Sequence, residues 1–178
     1  MNATVFVDTN VFVYARDASE PKKQPTAAEW IRELWIEQRG RTSMQVLSEY
    51  YATVTRKLDP GLKPDEAWED ISALLAWEPQ EIGRNVLIRA REIERRFALS
   101  WWDSMIVAAA QLQNCALLLT EDLQHGLVCG TVTVRNPFAD TVAEEQARYV
   151  AQPTPVSRHR ARGRPHSAGS IRNIVPSG

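Results

Sequence analysis

Apolar positions along the chain follow two patterns. Val5-Phe6-Val7, Cys115-Ala-Leu-Leu-Leu-Thr120 and Thr131-Val-Thr-Val134 are short continuous runs bounded by polar residues, and Arg41-Thr42-Ser43 is a candidate fourth strand. Continuous rather than alternating runs are what a parallel sheet covered on both faces requires. Between them the period becomes helical. Thr26-Ala-Ala-Glu29 reads as a capping box that opens a helix with Ala27, Trp30, Ile31 and Leu34 on one face, and Gly40 as its stop. Val46, Leu47, Tyr50 and Val54 predict a second helix over about 44–58. Pro64 starts a third, carrying Ala67, Trp68, Ile71 and Leu74, and Pro79 ends it. Val86, Ala90, Ile93 and Phe97 mark a fourth, and Ser100 caps a fifth that runs to about Gln113. Strands separated by helices, without hairpin signals, predict a three-layer α/β/α fold around a central, mostly parallel sheet.

At 178 residues and 44% hydrophobic, the chain can bury roughly 70% of its unfolded surface without disulfide or metal staples. Its longest apolar runs, such as Met105 to Ala110, fall far below the roughly 18 residues of a membrane span. The first residues lack a basic flank and Asp8 interrupts their apolar stretch, so they read as a core strand and not as a signal peptide. Cys115 and Cys129 form no Cys-x-x-Cys pattern, which speaks against a disulfide scaffold or a thiolate zinc site and for a cytoplasmic protein. The net charge of -1 conceals an asymmetry. Residues 1–150 hold all 22 acids and 16 of the 21 bases, a net of -6, whereas residues 151–178 carry five Arg and no acid. That segment has too few apolar residues to offset its ordering entropy, so 1–150 reads as one domain and 151–178 as a basic, disordered tail.

Four acids stand where chemistry is expected. Ligands of an open parallel sheet bind beyond the carboxyl ends of the strands, and there Asp8 follows the first strand and Asp122 the later apolar one. A turn or a helix cap is the alternative for each. Glu49 lies among core-type residues on the second helix, where a solubilising surface Glu is the plainer explanation. Asp103 falls in the first turn of the fifth helix, after Trp101 and Trp102, where a favourable dipole explains it as a cap and burial without a cation would be costly. If all four met at about 5 Å, the six pairs would repel by about 20 kcal/mol together. Protons or divalent cations must then sit between them, and an all-oxygen site suits Mg²⁺ or Mn²⁺. Phosphodiester hydrolysis is the chemistry such a site supports.

In order and spacing, Val7-Asp8-Thr9-Asn10, Ser48-Glu49, Trp102-Asp103-Ser104-Met105 and Leu119-Thr120-Glu121-Asp122 resemble the four acidic motifs of the PIN-domain ribonucleases, in particular the VapC-type toxins of prokaryotic toxin–antitoxin pairs. The resemblance covers about residues 3–140. It implies that Asp8, Glu49, Asp103 and Asp122 form a metal-binding acidic pocket, with Asn10 supporting Asp8 and Thr120 bonding a ligand carboxylate or a phosphate. It implies hydrolysis of RNA by a metal-activated water, leaving a 5′-phosphate and a 3′-hydroxyl. The partners implied are RNA, a cognate antitoxin protein and, as an open alternative, a second copy of the chain in a homodimer. The tail after Tyr149 departs from the family's compact form; its five Arg residues would raise encounter with RNA.

His125, three positions after Asp122, reads as a loop residue before it reads as an acid or phosphate ligand. Trp30 and Trp35 on the first predicted helix and Tyr50 and Tyr51 on the second fill the core, with any exposed remainder lining a groove for a partner helix. Arg89, Arg91, Arg95 and Arg96 read as a solvated helix face. Two rival functions stay open. A haloacid-dehalogenase-like phosphatase also places an Asp after its first strand, but it needs a second Asp two positions later, where this chain has Asn10. A PIN fold without activity, serving as a binding module, is the other.

Overall fold

The computed structural model describes residues 3–139; the tail assigned to 151–178 and the domain end near 150 lie outside them. Five strands form one sheet: β1 (Val5–Val7), β2 (Gly40–Arg41), β3 (Leu117–Leu119), β4 (Val128–Cys129) and β5 (Val132–Arg135), in the order β2-β1-β3-β5-β4. All pairs are parallel except β4 with β5. Phe6, Val7, Leu118 and Leu119 are fully buried on the central strands, as a sheet covered on both faces demands. Helices supply that cover, giving the three-layer α/β/α architecture.

Among the described residues, six α-helices surround the sheet: α1 (Thr9–Arg16), α2 (Gln24–Ile36), α3 (Met44–Arg56), α4 (Pro64–Leu74), α5 (Arg84–Phe97) and α6 (Trp101–Leu112). α1 packs on α2 and α3, α3 on α4, and α5 on α6. Asp70 of α4 joins three of these helices, because the Arg16 guanidinium of α1 grips it with two donors and the Tyr50 hydroxyl of α3 donates to it. Bidentate pairing of this kind fixes orientation as well as distance.

The structure departs from the hydrophobic pattern at four places. α1 follows directly after β1, although Val11-Phe12-Val13-Tyr14 is β-branched and aromatic. Asp8 caps it, and Val11 and Phe12 are buried, so tertiary packing outweighs the extended preference of these residues. α2 starts at Gln24, with Lys23 as its N-cap, so Thr26-Ala-Ala-Glu29 lies inside the helix and is no capping box. Pro25 explains the earlier start, since the first turn of a helix leaves its amides unpaired and tolerates proline. A hairpin does occur. Val128 pairs with Thr133 and Cys129 with Val132, which makes Gly130-Thr131 a two-residue turn, and Gly130 takes φ 63°.

The fourth departure concerns Gly40. α2 ends at Ile36, and it is Gln38 that takes the left-handed conformation after it. Gly40 instead belongs to β2, where a Cβ would fall 2.5 Å from the ring of buried Trp77. Trp77 sits in a 3-10 turn (Leu75–Trp77) after α4, so this close approach seats that turn against the sheet edge. Gly40→Ala is expected to lower stability by roughly 1–3 kcal/mol through overpacking. Urea unfolding checks this, and the loss should be markedly smaller in a Trp77→Leu background, where the ring is absent.

Candidate active site

The site begins with register. β1 and β3 pair in parallel with Val7 opposite Leu119, and the Asp8 amide donates to the Leu119 carbonyl at 3.1 Å. Asp8 and Thr120 therefore leave the sheet side by side at its carboxyl edge, where an open α/β sheet binds its ligands. Asp8 is 8% exposed and its carboxylate is used twice: one oxygen accepts from the Thr9 amide at 2.7 Å, the other from the Thr120 hydroxyl at 2.8 Å. Thr120 Oγ1 in turn accepts from Asn10 Nδ2 at 2.9 Å and from the Asp122 amide at 3.1 Å. Asn10 Nδ2 also donates to Asp122 at 2.9 Å. The amide thus supports Asp122 and Thr120 directly, and touches Asp8 only through the threonine.

Glu49 joins through α1. Thr9 Oγ1 donates to one of its oxygens at 3.0 Å, and Gln45 Nε2, one turn earlier on α3, donates to the other at 3.0 Å. Asp8, Glu49 and Asp122 are accordingly tied into one network by residues 9, 10 and 120. Asp103 stands apart from these hydrogen bonds. It occupies the first turn of α6, capped by Ser100, whose hydroxyl donates to its carboxylate at 2.6 Å while accepting from its amide at 3.1 Å. Because α6 leads back through a short connection into β3, its N-terminus faces the carboxyl edge of the sheet. Asp103 is not buried between tryptophans: it is half-buried, and Trp102 is 61% exposed.

Burial is the main influence on Asp8 and pushes its pKa up to about 7; the bonds from Thr120 and the Thr9 amide pull it down, and the charges of Asp122 and Glu49 add to the rise. The groups in contact with it are neutral donors, so no cation balances its charge there. Beside Thr9, Asn10, Glu49 and Asp122 opens a cleft of about 580 Å³, and neither Asp8 nor Asp103 is among its lining residues. Asp17, Glu20, Glu49, Glu121 and Asp122 line it, and Lys57 is the one cation among its lining residues. Glu121 is compensated, since Lys23 donates to it at 2.7 Å and Tyr14 donates as well. The remaining wall is strongly acidic.

Several contributors were not singled out in the sequence. Thr9 stood inside the Asp8 motif, and Gln45 carried a signal only in its position four residues before Glu49. Glu121 stands beside Asp122 in the sequence with no signal of its own. His125 holds a loop: its Nδ1 accepts from the Asn136 amide at 3.2 Å. On α5, Arg89 and Arg91 pair with Glu92 and Glu94 of the same helix, which leaves the expected solvated face in place.

No curated protein matches the chain. Several solved structures share its fold, two of which follow. One is a toxin–antitoxin complex from Klebsiella pneumoniae, 16% identical, covering 75% of this chain and 98% of that one with a TM-score of 0.55. The other is VapC20 of Mycobacterium tuberculosis, described as a sarcin-ricin loop cleaving toxin, 20% identical, covering 65% of this chain and 87% of that one with a TM-score of 0.51. At such identities the likeness carries architecture alone. The model of the PIN domain, however, matches residues 5–129, a span that includes Asp8, Glu49, Asp103 and Asp122, and the chain therefore belongs to the PIN domain family.

Proposed function

We propose that the chain is a ribonuclease dependent on Mg²⁺ or Mn²⁺ and acts as the toxin of a VapBC-type toxin–antitoxin pair. The observation that carries this reading is the network joining Asp8, Glu49 and Asp122 at the carboxyl edge of the sheet, before a cleft with a large excess of acids. Membership of the PIN family and the toxins among its structural neighbours support it.

The donor set fits a divalent cation. Every ligating group is oxygen, as Mg²⁺ and Mn²⁺ prefer, and Asn10 Oδ1 is buried beside these acids without a hydrogen-bond partner. Among the described residues, no three His, Cys, Asp or Glu side chains are gathered as a ready ligand cage. Carboxylates about 5 Å apart repel by roughly 3 kcal/mol per pair, which favours the spread arrangement in which threonine, serine and amide donors hold them. Asp8, Glu49, Asp103 and Asp122 would hold the ion. When bound, it supplies positive charge to the scissile phosphate and acidifies water. The chain's own residues do the rest: Thr120 and the Thr9 amide orient Asp8, Asn10 orients Asp122, and Lys57 offers the incoming phosphate backbone a cation.

Single-stranded RNA should be cut by the full chain with Mg²⁺ or Mn²⁺ and spared in excess EDTA. The products should carry 5′-phosphate and 3′-hydroxyl ends, because water and not the ribose 2′-hydroxyl is the nucleophile. Asp8→Asn should reduce cleavage by at least about 100-fold, the upper range for disturbing a metal site. Cleavage that persists in EDTA, or cyclic phosphate ends, would refute the reading; hydrolysis of a phosphomonoester with RNA untouched would favour the phosphatase.

The pH dependence follows from Asp8. Its folded carboxyl keeps a proton well above the unfolded value of 3.8, so the native state binds more protons between about pH 4 and 7. Stability is then greatest below that window and falls as pH rises through it, by on the order of 4 kcal/mol. A divalent cation held by Asp8 would take the place of that proton. In EDTA the thermal midpoint should fall from pH 5 to pH 8; Mg²⁺ should restore it at pH 8 and change little at pH 5. Asp8→Asn should flatten both responses, and an unflattened profile would count against Asp8 as their source.

The antitoxin has a matching surface. An apolar groove of about 400 Å³ runs between α1, α2 and α4, lined by Phe12, Ile31, Trp35 and Leu74 together with the paired Arg16 and Asp70. Trp35 is 43% and Ile36 66% exposed there. An apolar antitoxin segment seated in this groove, rounding the end of α1 near Asp17, brings an Arg to the acidic cleft, where its guanidinium pairs with carboxylates. Ala28→Glu with Ile36→Glu places two charges in the groove and should weaken binding of the antitoxin encoded beside this gene on the order of 30-fold or more. Calorimetry measures this, and RNA cleavage should persist.

A further inference from the structure

Gln45 is buried, 5% exposed, on a helix whose inner face is otherwise Val46, Leu47, Tyr50 and Val54. Burying an amide costs free energy unless its hydrogen bonds are made, and packing alone would be served by Met or Leu. Its Nε2 donates to Glu49 Oε1 at 3.0 Å, across one turn of α3. Thr9 Oγ1 approaches Glu49 Oε2 from α1 at the same distance. Each oxygen of this carboxylate is therefore held by a neutral donor, one from its own helix and one from another. Among the described residues no ion pair reaches Glu49.

We propose that Gln45 is a positioning residue that, with Thr9, fixes the Glu49 carboxylate at the cleft while leaving its charge uncompensated for a divalent cation. The proposal rests on the metal-dependent reading above. A Lys or Arg at position 45 would hold the carboxylate too, but would neutralise the charge the site needs. An apolar residue would leave Glu49 free among rotamers that cation binding must then freeze out. The amide holds without neutralising. Gln45 touches neither substrate nor the reacting atoms, and acts through Glu49 alone.

The test is Mn²⁺ binding to the full chain without RNA, followed by electron paramagnetic resonance. Gln45→Met keeps length and volume and removes the donor; it should bind Mn²⁺ about tenfold more weakly, as loss of a bond to a metal ligand does, with its thermal midpoint in EDTA unchanged. Gln45→Asn keeps a buried amide but withdraws it by one methylene, and should show the same loss even if Gln45→Met folds poorly. In a Glu49→Gln background either substitution should have no further effect, because the group it positions is gone. Variants that bind as tightly as the parent, or losses that persist undiminished in Glu49→Gln, overturn the proposal and leave the ribonuclease reading standing. A parent that binds no Mn²⁺ overturns both.

Discussion

A hydroxyl can donate one hydrogen bond and accept two, and the fully buried Thr120 hydroxyl uses all three. It donates to Asp8 and accepts from Asn10 and from the Asp122 amide. Two acids are placed by one oxygen atom. The atom is there because β1 and β3 are neighbours in parallel register, which requires Val5-Phe6-Val7 and Leu117-Leu118-Leu119 to be apolar on both faces. The sheet's hydrophobic pattern and the site's polar geometry are in this sense one constraint: a slip of register between those strands would bury the acids or scatter them.

Position in the chain made the acids legible. Asp8 and Asp122 end apolar runs, Asp103 opens a helix behind a serine cap, and Glu49 interrupts an apolar helical stripe. The main elements were legible for a similar reason, since long periodic stretches such as those of α3, α5 and α6 bury enough surface to decide their own conformation. α1 was hidden because its residues prefer extended backbone locally, and only the Asp8 cap together with burial of Val11 and Phe12 makes the helix. β4 has two residues, too few for any period. Bonds between elements were hidden most of all. That Asn10 reaches Asp122 rather than Asp8 depends on how α1 lies beside the loop after β3, and that Thr9 reaches Glu49 across 40 positions depends on how α1 lies against α3; no local pattern encodes either.

The two cavities differ in kind. The cleft is acidic and its residues repel one another; the groove is mostly apolar, with the network of Arg16, Tyr50 and Asp70 among its lining residues. That network pairs a cation in the last turn of one helix with an acid of another, so these two lining charges answer each other. Lys23 plays the same part on the other side, where it spans Tyr14 and Glu121 and lies 4.2 Å from the centre of the tyrosine ring.

Between the two cavities stands α1, only eight residues long. Thr9, Asn10, Val13 and Tyr14 face the cleft, Phe12, Ala15 and Arg16 face the groove, and Val11 is sealed in the core. The helix has no idle position. A surface that coevolves with a partner ordinarily drifts, each change on one side answered by a change on the other; if the groove seats the partner proposed above, such drift would have to pass through a segment whose opposite face lines the acidic cleft. Variation in the groove should then collect on α2 and α4, and α1 should be the slowest-changing of the described helices, its eight residues held still from both sides.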